Sequence, residues 1–240
     1  VWFSNAMSQS YFVTATGTGV GKTVVSALLA CALRARGVDA GVMKPFASGC
    51  RRVDGALICQ DAEFLRQSSG VSDEMELICP ARWEEPLAPL VASRRAGDER
   101  EPWLECVLEA HRELRRRHEC VIVEGVGGWL VPLCEAGGRV VSVEDFAAQL
   151  GSPVVLVAGR TLGTISDTLL SLRAIQARCE LAALVFCDAE PIEEEDVAAQ
   201  TSHKYLCESQ GFPLHHVPFV PDLTPQKVRE LAAELSWAWL

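Results

Sequence analysis

The chain has 240 residues, 49% of them hydrophobic, with 22 basic against 32 acidic side chains and a net charge of −10. That apolar fraction supports a sizeable core and excludes general disorder. The acidic balance argues against a nucleic-acid or anionic-membrane partner, each of which needs clustered positive charge, but leaves room for a local cationic pocket.

No apolar stretch approaches the roughly 20 residues that span a bilayer, so no membrane partner is expected. The ten cysteines are scattered without CxxC or zinc-ribbon spacing and lie mostly in apolar runs, which reads as free buried thiols in a reducing cytoplasm. Ser4-Asn5-Ala6 before Met7 reads as a vector-derived scar, so one domain over residues 7–240 is expected.

In chain order, the patterning predicts strand 11–15, helix 22–36, strand 39–43, helices 61–67 and 103–118, and strand 120–124. Helix 144–150, strand 153–158, helix 163–178, strand 181–187, helix 193–209, strand 214–217 and helix 224–239 follow. Several strands are apolar on both faces, as buried parallel strands are. Gly37 stands where a helix C-cap belongs. The segment 49–97, richer in proline and charge, is expected to form long loops over a sheet edge apart from the short helix 61–67.

The stretch from Tyr11 to Thr23 carries the strongest local signal: a strand, then Thr16-Gly17-Thr18-Gly19-Val20-Gly21, then Lys22-Thr23-Val24 opening an apolar helix. This is the plan of a phosphate-binding P-loop. Backbone N–H groups from Gly19 to Val24 surround an oligophosphate, the helix N-terminus favours negative charge, Lys22 reaches the terminal phosphates, and Thr23 offers a hydroxyl to Mg²⁺. A strict GxxxxGKS/T match needs glycine where Thr16 stands, so the loop is a variant. The fold expected is α/β, a three-layer P-loop NTPase-like fold with a mostly parallel central sheet flanked by helices.

A bound nucleotide brings Mg²⁺, and hard cations take carboxylates. Glu124 ends the apolar run Cys120-Val121-Ile122-Val123 and so points into the ligand crevice, the plainer alternative being a surface acid at a strand end; the glycines of Gly125-Val126-Gly127-Gly128 allow close approach of a nucleotide or a partner backbone. By its local context, Asp61 is an N-cap before it is a ligand. Lys44 follows another apolar strand at the rim of the same crevice, where an ammonium can hold the negative charge that phosphoryl transfer develops; the plainer alternative is a solvated strand-end lysine.

Lys44-Pro45-Phe46-Ala47-Ser48-Gly49, following the variant loop and preceding Val123-Glu124-Gly125-Val126-Gly127-Gly128-Trp129-Leu130-Val131-Pro132-Leu133, closely resembles the dethiobiotin synthetase family of biotin biosynthesis. Pro86-Leu87-Ala88-Pro89, Leu162-Gly163-Thr164-Ile165 and Asp61-Ala62 add matches in family order, from about Tyr11 to Val220. The resemblance implies an ATP- and Mg²⁺-dependent cyclo-ligase. 7,8-Diaminononanoate and CO₂ (or bicarbonate) form a carbamate, ATP phosphorylates it, and the second amine closes the ureido ring. Carried onto this chain, Lys44, Ser48 and Thr18 would hold the carbamate, Lys22 the transferring phosphoryl group, and Thr23, Asp61 and Glu124 the Mg²⁺. Cys187 and Asp188, with Pro218, Phe219 and Val220, would lie at the base. The resemblance also implies a homodimer, with the substrate carboxylate at the interface on Leu162, Gly163, Thr164 and Ile165 and a hydroxyl from Tyr205.

This chain departs from the family pattern in three places. Ala15-Thr16-Gly17-Thr18 replaces Gly-Thr-Asp-Thr, Ser166-Asp167 replaces Asn-His, and Cys187 stands where a base-reading asparagine is usual. Cysteine cannot offer the paired donor and acceptor of an amide, so base selectivity is left open between backbone contacts and tolerance of other nucleotides. The rival readings are a partitioning or septum-positioning ATPase, which carries a lysine where Gly17 stands, and a nucleotide-binding relative with an altered substrate. A glutamine-dependent amidating synthetase would need a further domain. The five histidines, His111, His118, His203, His215 and His216, show no metal spacing and are expected to be structural or solvated; Trp237 and Trp239 suggest a packing edge.

Overall fold

A computed structural model describes residues 9–99, 102–193 and 195–235. The scar expected at 1–6 and the tryptophans at 237 and 239 lie outside the described residues. In chain order the elements are β1 (Gln9–Ala15), α1 (Lys22–Ala35), β2 (Ala40–Met43), β3 (Phe46–Ala47), β4 (Arg51–Val53), β5 (Ala56–Ile58) and α2 (Gln60–Ser69). Next come α3 (Met75–Ile78), β6 (Ala81–Arg82), α4 (Pro89–Ala96), α5 (Trp103–Arg117), β7 (Cys120–Glu124), β8 (Pro132–Ala136), β9 (Arg139–Ser142) and α6 (Val143–Leu150). The chain continues through β10 (Val154–Ala158), α7 (Thr164–Gln176), β11 (Leu181–Cys187), α8 (Val197–Gln210), β12 (His215–Val217) and α9 (Pro225–Glu234).

Six strands form one parallel sheet in the order β12-β11-β10-β1-β7-β2. Because successive strand residues point to opposite faces, each strand supplies two cores. Tyr11, Val13, Cys120, Ile122, Val155, Val157 and Val185 meet α1, α2 and α9 on one side. Phe12, Val121, Val123, Val154, Leu156, Leu184 and Phe186 meet α5, α6, α7 and α8 on the other. Burial on both faces explains why these strands read as apolar runs without alternation. The sheet is therefore a middle layer between two helical ones, as expected. Among the described residues no helix is long and apolar enough to cross a membrane.

The connection from β1 through α1 leads to β2 on the far side of β7, whereas β10, β11 and β12 extend the opposite edge of β1. Chain direction across the sheet thus switches beside β1, and the crevice at the carboxyl ends of the strands opens there. Gly37 ends the turn after α1 at φ 82, its N–H bonded to Arg34 O at 3.0 Å, as its position implied.

The segment 49–97 departs from the expected long loops. Besides α2 it holds the β4–β5 hairpin, α3, β6 and α4. Its punctuation is visible in retrospect: α4 starts with Pro89 and stops at Gly97, φ 78. Elements of eight residues or fewer set in charged, proline-containing sequence give little periodic signal. The helix expected from 193 begins instead at Val197, where the Asp196 side chain accepts the Ala199 N–H at 2.9 Å.

Candidate active site

The loop between β1 and α1 turns through Gly19 at φ 78 and Gly21 at φ 90. A Cβ at Gly21 would also come within 2.3 Å of the Cys187 sulfur, so space as well as backbone conformation requires glycine there. No side chain caps α1, which leaves the N–H groups of its first turn for an anion. Lys22 folds back over the loop and donates from Nζ to Gly17 O at 2.9 Å. Burial, and then the neighbouring Lys44, lower its pKa to about 8, with Glu124 and Asp61 pulling the other way.

One residue further on, the Thr23 hydroxyl donates to Glu124 Oε1 at 2.9 Å. Glu124 is 0% exposed. Burial pushes its carboxyl up, against the pull of Lys44. Its Oε1 also receives the Lys44 ammonium, while Oε2 is buried without a hydrogen-bond partner.

Lys44 leaves β2 with its backbone N–H fixed to Ile78 O at 2.7 Å. The side chain is buried, and Nζ also reaches Asp61 Oδ2 at 3.1 Å and Gly125 O at 3.3 Å. Burial opposes its charge, but Glu124 and Asp61 outweigh burial and hold the ammonium above its ordinary pKa. The solvated strand-end lysine is thereby corrected: this one is enclosed and paired. Asp61 needs a correction too, because it is not the N-cap of α2. Cys59 holds that place, its sulfur accepting the Ala62 N–H at 3.5 Å, which frees the Asp61 carboxylate to face Lys44.

Among the described residues no three His, Cys, Asp or Glu side chains gather as a metal cage. What gathers is one hydroxyl, the half-exposed Asp61 carboxylate and the unpartnered Glu124 Oε2. Two carboxylates with a hydroxyl suit Mg²⁺, which keeps waters and phosphate oxygens for its other positions, so the residues fit the ion.

A cleft of about 800 Å³ joins these groups, with Thr18, Gly19, Gly21, Lys22, Thr23, Val24, Lys44, Ser48, Asp61, Glu124, Val126 and Gly127 in its walls. Ala47, Pro86, Leu87, Ala88, Val131 and Ala189 line it as well and were not foreseen as site residues. The run Pro86-Leu87-Ala88 was a readable signal; Ala189 was not. Gly125 contributes its carbonyl from just behind the wall, and Val20 packs against the core.

Several expected residues stand outside that cleft. The Cys187 thiol is buried beneath Gly21, and burial pushes its pKa up to about 12. Asp188 is held by Arg160, through Nε at 2.8 Å and Nη2 at 2.6 Å, and by His216 Nε2 at 2.8 Å. After β12, Pro218 is exposed and Phe219 and Val220 are half-buried. Leu162 is 90% exposed and Gly163 caps α7 at φ 96; the Thr164 hydroxyl is bonded to Gly159 O at 2.6 Å, and Ile165 packs on the second core. Asp167 lies exposed in the first turn of α7, and Tyr205 is exposed on α8.

A family model described as an AAA domain matches residues 9–227. The chain is 36% identical over 231 residues to the ATP-dependent dethiobiotin synthetase BioD of Thermodesulfovibrio yellowstonii, covering 94% of this chain and 95% of that one. It is 40% identical over 229 residues to the protein of the same name from Anaeromyxobacter dehalogenans, covering 95% and 97%. Among solved structures it is similar to a ParA family ATPase from Chlorobium tepidum, with a TM-score of 0.51 at 12% identity over 95% of this chain and 94% of that one. The MinC:MinD cell division complex of Aquifex aeolicus aligns with a TM-score of 0.50 at 13% identity, over 94% and 95%. At such identities the two structures speak for the fold alone. The relatives over nearly full length, the P-loop match and the site built around Lys44 together place this chain in the dethiobiotin synthetase family.

Proposed function

We propose that this protein is the ATP-dependent cyclo-ligase that makes dethiobiotin from 7,8-diaminononanoate and CO₂. The observation that carries the reading is Lys44: a buried ammonium, anchored by Glu124, Asp61 and Gly125 O, in the same cleft as the phosphate loop. A nucleotide-switch ATPase of the same fold needs no second buried lysine there.

The chemistry asks for positive charge at each stage. An amine of the substrate attacks CO₂ and loses a proton, giving a carbamate anion. A carbamate oxygen attacks the γ-phosphorus and ADP leaves. The second amine then attacks the carbonyl carbon, phosphate departs, and the ring closes. Lys44 faces the carbamate and the charge that builds on it, with the Ser48 and Thr18 hydroxyls as further donors. Lys22, released from Gly17 O, holds the transferring phosphoryl group. Thr23, Asp61 and Glu124 would hold Mg²⁺, which would supply positive charge against the triphosphate.

The residues expected on the substrate carboxylate, Leu162 to Ile165 and Tyr205, lie outside the cleft that holds Lys44. In a homodimer they complete the partner's site, which gives the exposed Leu162, Leu170, Val197 and Tyr205 a surface to cover. Asp167 sets a like charge beside that carboxylate. A cytoplasmic location goes with a reaction that draws on ATP. The test is ADP release with MgATP, bicarbonate and 7,8-diaminononanoate, leaving out each in turn. ADP formed only with all three, together with a cyclic urea product, supports the reading; ADP formed without the diamine sinks it.

A further inference from the structure

The β4–β5 hairpin turns through Asp54 and Gly55, both at positive φ (49 and 84), as a two-residue type I′ turn requires. Its register pairs Val53 with Ala56, Arg52 with Leu57 and Arg51 with Ile58. One step further along the same register stand Cys50 and Cys59. Counting from a two-residue turn, the pairs alternate between hydrogen-bonded and not, and Cys50 with Cys59 falls in the second kind. Such pairs hold their Cα atoms about 4.5 Å apart, inside the span of roughly 4.4–6.8 Å that a disulfide bridges.

The local backbone agrees with that placement. The Cys50 N–H turns away from the hairpin to Trp83 O at 2.9 Å, and Cys59 is extended at φ −89, ψ 111. The Cys50 thiol donates to Ala47 O at 3.9 Å, the Cys59 sulfur accepts the Ala62 N–H at 3.5 Å, and the Cys79 thiol is a further neighbour of Cys59. Cys50 and Cys59 keep 4% and 5% exposure, whereas Cys79 keeps none. Of these three, the two in register are the ones not wholly enclosed.

We propose that Cys50 and Cys59 are a reversible oxidation site, at which a peroxide closes a disulfide across the base of the hairpin. One sulfur attacks a peroxide oxygen; the O–O bond breaks, a sulfenic acid forms and water leaves. The second sulfur attacks the sulfenic sulfur, the S–O bond breaks with loss of a second water, and the S–S bond forms. Two thiols thus give up two electrons and two protons to one peroxide, and a dithiol returns them. Cys50 lies two residues after Ser48 and Cys59 two before Asp61. In the disulfide the Cys59 sulfur leaves its place as cap of α2, and Asp61, in the first turn of that helix, shifts with it. This last consequence rests on the proposed role of Asp61; the disulfide itself does not.

The full chain, treated with hydrogen peroxide and then dithiothreitol, is mapped by mass spectrometry without reduction, with exposed Cys106 as the internal reference for oxidant exposure. The wild type and Cys79→Ser should give a peptide pair joined through Cys50 and Cys59, lost on reduction, and Cys50→Ser should not. Cys59 joined to Cys79, or no bond at peroxide levels that oxidise Cys106, overturns the site. MgATP affinity of the oxidised wild type should fall at least about fivefold and recover with dithiothreitol, the scale on which coupled sites act. Cys50→Ser should keep its affinity under peroxide. A mapped disulfide with unchanged affinity overturns the coupling to Asp61. A reduced protein that lacks ring-closing activity overturns the functional reading and leaves the disulfide map to be judged alone.

Discussion

The Thr23 hydroxyl donates to Glu124 Oε1 at 2.9 Å, joining the first turn of α1 to the end of β7 across 101 residues of chain. The sheet makes this meeting possible. β1 and β7 are parallel neighbours with Val13 opposite Glu124, so the loop that leaves β1 passes over the carboxylate that ends β7. Because Thr23 and Lys44 both use Oε1, the second oxygen is kept for another cation.

Glu124→Gln should lower stability before it affects anything else. Lys44, 3% exposed, would keep only half-exposed Asp61 as a carboxylate partner. Breaking a buried ion pair by removing one member costs about 3–5 kcal/mol, and the surviving Asp61 contact argues for the lower end. At about 2–4 °C per kcal/mol for a chain of this size, the thermal midpoint without nucleotide should drop by roughly 6–12 °C. An unchanged midpoint in calorimetry would mean the pair contributes no net stability.

Lys44→Gln should separate turnover from nucleotide binding. Removing one donor aimed at developing negative charge costs about 10²–10³ in rate. ATP affinity, which rests on the loop and on Lys22, should stay within about threefold, well under 1 kcal/mol. Normal turnover in the ADP-release assay would take Lys44 out of the mechanism.

Lys22 gives the site a dependence on pH. With its pKa lowered to about 8, the ammonium is charged below that value and neutral above it. MgATP affinity should therefore hold steady below about pH 8 and weaken as pH rises past it, approaching tenfold per unit until the bound form also titrates. Lys22→Arg stays charged throughout and should flatten the curve. Calorimetric titration decides it; a wild-type affinity that is flat to about pH 9.5 would contradict the charge assignment.

Acid should loosen the fold through His111. This ring is buried against the Ser10 hydroxyl at 3.1 Å, and burial, then Arg115 and Arg112, lower its pKa to about 4. Below about pH 6.5 the unfolded chain takes up a proton that the folded chain refuses until about pH 4, so stability falls across that window, by roughly 3 kcal/mol in all. His111→Gln cannot titrate and should remove this part of the slope in urea unfolding. If the slope is unaltered, other groups carry it.

What could be read in advance follows physical lines. Five of the six sheet strands were legible because burial on both faces turns them into apolar runs such as Val154–Ala158; β12, His215–Val217, is not such a run. The loop of Lys22 and Thr23, the Lys44 strand end and the Glu124 strand end were legible because ligand chemistry fixes residue types in a short span. Hairpin β4–β5 and helix α4 were not, since each depends on one or two turn residues within charged sequence. Ala189 enters the cleft only because β11 stops beside it, a fact of three dimensions. The facing of Cys187 lay between these cases. Alternation along β11 puts it on the same side as Ala183 and Val185, under the phosphate loop, once the strand's endpoints are fixed.

That facing bears on which nucleotide the enzyme accepts. The Cys187 thiol is buried beneath Gly21, and both Asp188 oxygens are engaged by Arg160 and His216. Burial works against the Asp188 charge, but Arg160 and His216 hold its carboxyl below the ordinary range. Neither side chain is then free to pair with the edge of a base, so discrimination through paired side-chain hydrogen bonds, worth several powers of ten elsewhere, is predicted to be absent. GTP and CTP should support turnover within about tenfold of ATP, a difference of only about 1.4 kcal/mol. Cys187→Asn offers an amide but forces a larger side chain against Gly21, so it should disturb triphosphate binding before it improves selectivity. Steady-state rates with the three nucleotides test this, and strict dependence on ATP would refute it.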